Sequence, residues 1–206
     1  MAASQVSIVN RALSALGHKP IVSFDDDSKA ARLADRDYDD LRDAVIQAHP
    51  WNFAQVREML AANATAPVWG FERAFDLPSS PYCLRVLSVQ NEDPETGTWK
   101  VEGRQIVTNF ADPLPILYLA RVTDVGLTTT LFREALSARI AWDWAESITG
   151  STSKAEAARE WYERKLSEAR SIDGQEGTIE TLDSGQWVRA RFSGSLSGPA
   201  PWTDWD

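Results

Sequence analysis

Apolar residues recur every three or four positions between residues 28 and 53, which predicts one apolar face of a helix. The apolar positions are Ala30, Ala34, Tyr38, Leu41, Val45 and Ala48. The polar positions, which we expect to stay in water, are Arg32, Asp35, Arg36, Asp39 and Asp43. Pro50 should end the helix near His49, because proline lacks an N–H and restricts the residue before it. Since small side chains favour a close neighbour, we expect this helix to lie at the centre of the fold.

Three more helices are predicted from the same periodicity and from their ends. The first begins at Ser4, a good N-cap, and ends at Gly17. The third follows the threonines at 128–130 and ends at Gly150, and the fourth opens with a capping box formed by Ser153 and Glu156. Two helices therefore precede the middle of the chain and two follow it.

Residues 67–125 have a different pattern, with short apolar runs separated by proline and glycine. The runs predict strands at 71–77, 82–89, 98–101, 104–108 and 114–121. A hairpin turn is expected at Glu102 and Gly103, because glycine tolerates the positive φ of a tight turn.

These elements predict an α+β fold: an antiparallel four-helix bundle with an inserted small antiparallel β module and an extended C-terminal arm. The predicted domain ranges are 1–66 and 126–173 for the two halves of the bundle, 67–125 for the β module and 174–206 for the arm. The arm is rich in glycine, serine and proline but keeps spaced aromatic residues, which indicates a segment that orders on a partner. The candidate docking residues are Trp187, Phe192, Trp202 and Trp205. The alternative is a tail whose aromatic residues are incidental.

Composition limits the possible functions. A formal net charge of −9 and a pI near 4.8 argue against a protein that wraps nucleic acid through its phosphates. Cys83 is the single cysteine, which fits folding in the cytosol, and we find neither a signal peptide nor a membrane-spanning run. Nine tryptophans are many for one domain. We expect Trp51, Trp69, Trp142, Trp144 and Trp161 to lie mostly in the core.

No motif for catalysis, a cofactor or a metal stands out. His18 and His49 are the two histidines, and each follows a predicted helix, where histidine is more often a cap than a base. Residues 150–154 lack the spacing of a phosphate loop, and the acids at 25–27 lack the rest of a calcium loop. We therefore predict that the protein is not an enzyme. A deep cleft joining His49 to a carboxylate and to a hydroxyl or metal would contradict this prediction.

Several segments, taken in order, resemble the tail tubular protein A family, the head-to-tail adaptor proteins of short-tailed bacteriophages. The segments are ALSALG at 12–17, SKAAR at 28–32, YDDLRDAV at 38–45, HPWNF at 49–53, KVEGR at 100–104, YLARV at 118–122 and FREAL at 132–136. The resemblance covers residues 5–192, and HPWNF is its most specific part. Residues 193–206 lie outside it.

The resemblance implies a structural virion protein that forms a ring, commonly of twelve subunits, between the portal protein and the tail nozzle protein. DNA would pass through the bore during genome ejection without specific binding, and no membrane is involved. The protein would be made in the host bacterial cytoplasm and end in the neck of the virion. An acidic bore would repel DNA phosphates, so we expect a channel face among Asp25, Asp26, Asp27, Asp35, Asp39 and Asp43.

Two alternatives stay open. One is a connector or stopper at another neck position of a long-tailed phage, which the number of rings in a virion map would distinguish. The other is a bacterial adaptor that binds a protein partner through its C-terminal aromatic residues, which removal of residues 174–206 would test.

Overall fold

The computed structural model describes residues 4–89 and 98–176. Within these ranges the chain forms four helices: α1 (Gln5–Ala15), α2 (Lys29–Gln47), α3 (Thr130–Thr149) and α4 (Thr152–Gln175). It also forms six strands: β1 (Gln55–Leu60), β2 (Arg73–Asp76), β3 (Cys83–Val89), β4 (Trp99–Glu102), β5 (Gln105–Thr108) and β6 (Leu114–Ala120). The protein therefore combines helices with β-sheet.

Most helix ends lie where local sequence signals place them. Ser4 forms a reciprocal capping box with Ser7, and Ser28 accepts a hydrogen bond from the N–H of Ala31 at the start of α2. Gly150 ends α3 with φ of 65°, a left-handed conformation that costs glycine little. The predicted capping box at Ser153 is wrong, because Ser151 is the N-cap of α4.

The predicted four-helix bundle is wrong, because the helices do not pack as a ring of neighbours. The main helix contacts all involve α3, which packs against α1, α2 and α4. The reason lies in α3, where the consecutive residues Ala135, Leu136, Ser137 and Ala138 are all buried, so burial extends around most of the circumference. For the same reason, α3 and not α2 is the central helix.

The described strands form two antiparallel three-stranded sheets. The first sheet has the order β1-β6-β3, and the second has the order β2-β5-β4. In the second sheet, β4 and β5 form the predicted hairpin, with Glu102 paired to Gln105 and Gly103 at φ of 59°. Strand β1, which the sequence pattern did not predict, precedes residue 67 and pairs along its length with β6.

Two apolar cores result. The larger core lies among the helices and includes Trp51, while the smaller core lies between the sheets and includes Phe75 and Tyr118. Polar contacts join the two parts, among them an ion pair of 2.6 Å between Arg121, just after β6, and Asp43 in α2. None of the helices in the described ranges has the length and apolar character needed to cross a bilayer.

Candidate functional site

The HPWNF segment at 49–53 follows α2 directly and turns the chain into the helical core. Trp51 is fully buried, and its indole N–H donates a hydrogen bond of 2.9 Å to the carbonyl of Val45 in the last turns of α2. The Trp51 ring meets the ring of Phe132 edge-on, with centroids 5.3 Å apart, and Phe53 meets the same ring at 4.9 Å. The segment therefore joins the end of α2 to the beginning of α3.

Asp173 in the last turns of α4 connects this segment to a third helix. Its side chain is 5% exposed, and it accepts a hydrogen bond of 3.2 Å from the backbone N–H of Asn52. The Asn52 side chain in turn donates to the Asp173 carbonyl at 2.7 Å. Nε2 of His49 lies 3.2 Å from Oδ2 of the same carboxylate. Sequence reasoning missed Asp173, although an acid on the apolar face that carries Leu166 and Ala169 was a usable signal.

Burial and charge act in opposite directions on His49. Burial, the larger effect, holds the pKa of the imidazole below its ordinary value, while the Asp173 carboxylate favours the protonated form. In the described part of the chain, no hydroxyl hydrogen-bonds to His49. The same part contains no group of three or more His, Cys, Asp or Glu side chains that could hold a metal ion. The contacts between His49, Asn52 and Asp173 thus hold the segment after α2 against α4.

The candidate acidic channel residues differ in their environments. Asp25, Asp27, Asp35 and Asp39 are exposed, and Asp26 is partly buried. Asp26 accepts a hydrogen bond from the N–H of Val22, and Asp27 pairs with Arg32 at 2.7 Å. Asp39 pairs with Arg42 at 2.6 Å, but its own side chain is 74% exposed.

Asp43 is buried, so the prediction that it stays in water is wrong. One oxygen of its carboxylate accepts from both Nε and Nη2 of Arg42, and the other accepts from Nε of Arg121 at 2.6 Å. Arg42 is only 4% exposed, so its charge depends on this pairing. Asp43 therefore serves the junction between α2 and the sheet and does not add charge to the surface.

A pocket lined by three arginines lies beside this junction, and we call it the arginine pocket: Arg85, Arg104, Arg121, Tyr82, Trp99 and Gln47 are among its walls. The guanidinium carbons of Arg104 and Arg121 lie 4.0 Å and 4.4 Å from the centroid of the Tyr82 ring. Arg104 donates to the carbonyls of Pro78 and Cys83, and Arg85 donates to the carbonyl of Gln47 at 2.8 Å. Each of these arginines thus has a structural contact and also faces the pocket.

The tryptophans divide between core and surface. Trp51 and Trp144 are buried as predicted, and Trp142 and Trp161 are partly buried. The prediction for Trp69 is wrong, because its side chain is 86% exposed. Val68 beside it is 99% exposed, and both lie in the loop between β1 and β2, where Gly70 has φ of 85°. This exposed pair is a large apolar feature at the surface.

An apolar groove lies on a different part of the molecule, where α1, α3 and α4 meet. Its floor consists mostly of alanine, so the surface is concave between the helices: the lining includes Ala15, Ala141, Ala157, Ala158, Leu16 and Trp161. Lys154 stands at this groove, with Nζ 3.5 Å from the carbonyl of Leu16. The candidate docking residues Trp187, Phe192, Trp202 and Trp205 lie outside the described residues.

Comparison with known proteins adds no identification. No family model matches the sequence, and no curated protein shows a significant match to it.

Proposed function

We propose that this chain is a structural virion protein, a head-to-tail adaptor that assembles into a ring between a portal protein and a tail nozzle protein. The proposal starts from the resemblance of the segments at 12–136 to the tail tubular protein A family. The structural observation that supports it best is the exposure of Val68 and Trp69 in one loop.

Tryptophan is the residue that most often dominates the binding energy of a protein interface. A lone tryptophan with 86% of its side chain in water gives the isolated subunit no packing energy, but it can bury that surface against a partner. The loop thus has the character of an interface element.

A ring requires two different faces on each subunit, because each copy must contact one neighbour with one face and the other neighbour with another. The loop with Trp69 lines a pocket together with residues of β4 and β5, whereas the alanine-lined groove lies between helices. These are different apolar surfaces on different elements, which is the arrangement that a head-to-tail contact between copies uses.

The exposed acids complete the proposal. We assign the exposed Asp25, Asp27, Asp35 and Asp39 to the channel face. Asp43 is left out because it is buried, and Asp26 because it is partly buried. Negative charge along a bore repels DNA phosphates and so favours passage over binding. In this role the protein makes and breaks no covalent bond.

The test is the assembly state of the purified full chain, measured by light scattering and by electron microscopy of negatively stained particles, alone and with its portal protein. We expect rings in at least one of these conditions. Trp69→Ala should weaken assembly by about tenfold or more, as expected for an interface anchor. Val22→Ala removes another exposed apolar side chain, 88% exposed, and should leave assembly unchanged. A chain that stays monomeric with the portal protein present contradicts the proposal.

A further inference from the structure

The arginine pocket is unusual for this protein because it concentrates positive charge in a chain whose formal net charge is −9. Its charged lining consists of Arg85, Arg104 and Arg121 against Asp40 and Asp43. Asp43 is already bound to Arg42 and Arg121, so Asp40 is the other acid in the lining of the pocket. The local charge of the pocket is therefore opposite in sign to that of the whole chain.

The walls of the pocket are amphipathic. Guanidinium groups lie beside Tyr82, and apolar side chains, including Leu77, Leu84 and Val101, complete the lining. The pocket holds about 560 Å³, which lies in the range of sites that bury a ligand of several side chains. Arginine binds carboxylates through paired N–H donors and also stacks on aromatic rings. The chemistry of this pocket suits a peptide that carries acidic and aromatic side chains together.

One segment of this chain has that composition. Residues 199–206 read PAPWTDWD, with two tryptophans, two aspartates and no basic residue. Indole rings can stack on guanidinium groups or on the apolar wall, while Asp204 and Asp206 can accept hydrogen bonds from the arginines. The segment and the arginine pocket are therefore complementary in charge and in aromatic character.

The last turns of α4 contact the chain next to the pocket. Near the end of α4, Arg170 donates a hydrogen bond of 2.7 Å to the carbonyl of Ala48. The preceding carbonyl, that of Gln47, accepts the hydrogen bond from Arg85, and both Gln47 and Arg85 line the pocket. Residue 176, the last described residue, thus lies six positions after Arg170, whose side chain contacts the residue next to Gln47 in the pocket wall.

The intervening chain is long enough to return to the pocket. About 25 residues separate α4 from Trp202, and random-coil statistics for that number of residues give a root-mean-square span of about 25–30 Å. Attachment to the same chain gives a local concentration on the order of millimolar, so even weak contacts suffice for occupancy.

We propose that the arginine pocket binds the acidic, aromatic segment Trp202–Thr203–Asp204–Trp205–Asp206 of the same chain. Arg85 and Arg121 hold the two carboxylates, and the tryptophans lie against Tyr82 and the apolar wall. The segment is then held on its own subunit until a partner competes for it. This inference does not depend on ring formation.

The test uses ¹⁹F NMR of the full chain with all nine tryptophans replaced by 5-fluorotryptophan. Trp202→Phe and Trp205→Phe each remove one resonance and so identify the two reporters. We expect both reporters to resonate away from their positions in the urea-unfolded chain. In Arg85→Glu they should move to the unfolded positions. The resonances of Trp51, Trp69, Trp142, Trp144 and Trp161, which do not line the pocket, should stay in place and show that the protein is still folded. Arg85 is the best site for this change, because it is exposed and its hydrogen bond within the described residues goes to a backbone carbonyl, that of Gln47.

Arg159→Glu is the matched control, since Arg159 is a half-exposed arginine on α4 whose ion pair with Glu163 spans 3.9 Å. It should leave both reporters unchanged. Arg85→Glu is then combined with Asp204→Lys in one chain and with Asp206→Lys in another, so that the charges of one arginine–aspartate pair are exchanged. The combination that exchanges the true partner of Arg85 should recover at least half of the original shift. The proposal is overturned if the two reporters have the chemical shifts of the unfolded chain in the unmodified protein. It is also overturned if their shifts do not change in Arg85→Glu. Reporters that lose their shift on tenfold dilution also overturn it, because the pocket would then bind a second copy.

Discussion

Nε2 of His49 lies 3.2 Å from Oδ2 of Asp173, although 124 positions separate the two residues in the chain. The same carboxylate accepts a hydrogen bond from the N–H of Asn52, so it binds two groups of the segment that follows α2. Three helices meet here, because Trp51 and Phe53 also pack on Phe132 of α3. The HPWNF segment at 49–53 thus connects α2 to α3 and α4.

We expect Asp173→Ala to lower the free energy of unfolding by about 1–3 kcal/mol, the usual cost of leaving buried donors without an acceptor. Urea denaturation followed by circular dichroism measures the change. Asp35→Ala is the control, because Asp35 is exposed on the outer face of α2. It should change stability by less than about 0.5 kcal/mol. Equal effects of the two substitutions would contradict the role assigned to Asp173.

The stability of the fold should fall as the pH drops below about 6.5 because of His49. Burial lowers the pKa of His49 in the folded protein, so the unfolded chain takes up the proton first as the pH falls. Below the ordinary pKa of histidine, the unfolded state therefore gains stability relative to the folded state, until the folded protein is protonated as well. His49→Gln should flatten the profile between pH 7 and pH 5, which denaturation at a series of pH values can measure. His18→Gln is the control, because His18 is exposed.

Asp43 and Asp39 should behave very differently when their charges are removed. Asp43→Asn takes away the partner of the buried Arg42 and should cost about 3–5 kcal/mol, as expected for a broken buried ion pair. Asp39→Asn changes a side chain that is 74% exposed and should cost less than about 1 kcal/mol. Thermal or urea unfolding of both variants measures the contrast. Similar losses would mean that Asp43 is not the acid that balances Arg42 and Arg121.

Glu134 on α3 bridges two other helices, since it pairs with Arg11 of α1 and Lys165 of α4, each at 2.9 Å. The hydrogen bond from Lys165, and then that from Arg11, hold the pKa of Glu134 below its ordinary value. The carboxylate therefore stabilises the fold above the ordinary pKa of about 4.5, and this stabilisation is lost as the pH falls through the lowered pKa. Glu134→Gln should cost about 1 kcal/mol at pH 7 and almost nothing well below pH 4. A pH-independent difference would contradict the ionic role of Glu134.

Local signals in the sequence were sufficient to predict helix ends and turns, because a short segment determines these features by itself. Ser4, Ser28 and Gly150 each lie at a helix end that they help to form, and the glycine at 103 lies in the β4–β5 turn. Local signals could not predict that α3, and not α2, is the central helix. It depends on how much of the circumference of α3 other elements cover, which is a property of the assembled fold.

The polar residues of the candidate site show the same limit. Asp43 and Asp173 both fall near apolar faces of their helices, and each is buried because an arginine or a set of N–H donors meets it from a distant part of the chain. Helical periodicity alone assigned Asp43 to solvent. Trp69 shows the opposite error, because large apolar size suggested a core position while the loop between β1 and β2 leaves it in water.

The central position of α3 has a consequence for biosynthesis. The ribosome makes α1 and α2 long before residues 130–149, so both amphipathic helices leave the exit tunnel without the helix that covers their apolar faces. During that interval the nascent chain depends on chaperones or on transient collapse for protection. Translation pauses before codon 130 should therefore increase aggregation, whereas pauses after α3 has left the exit tunnel should have little effect.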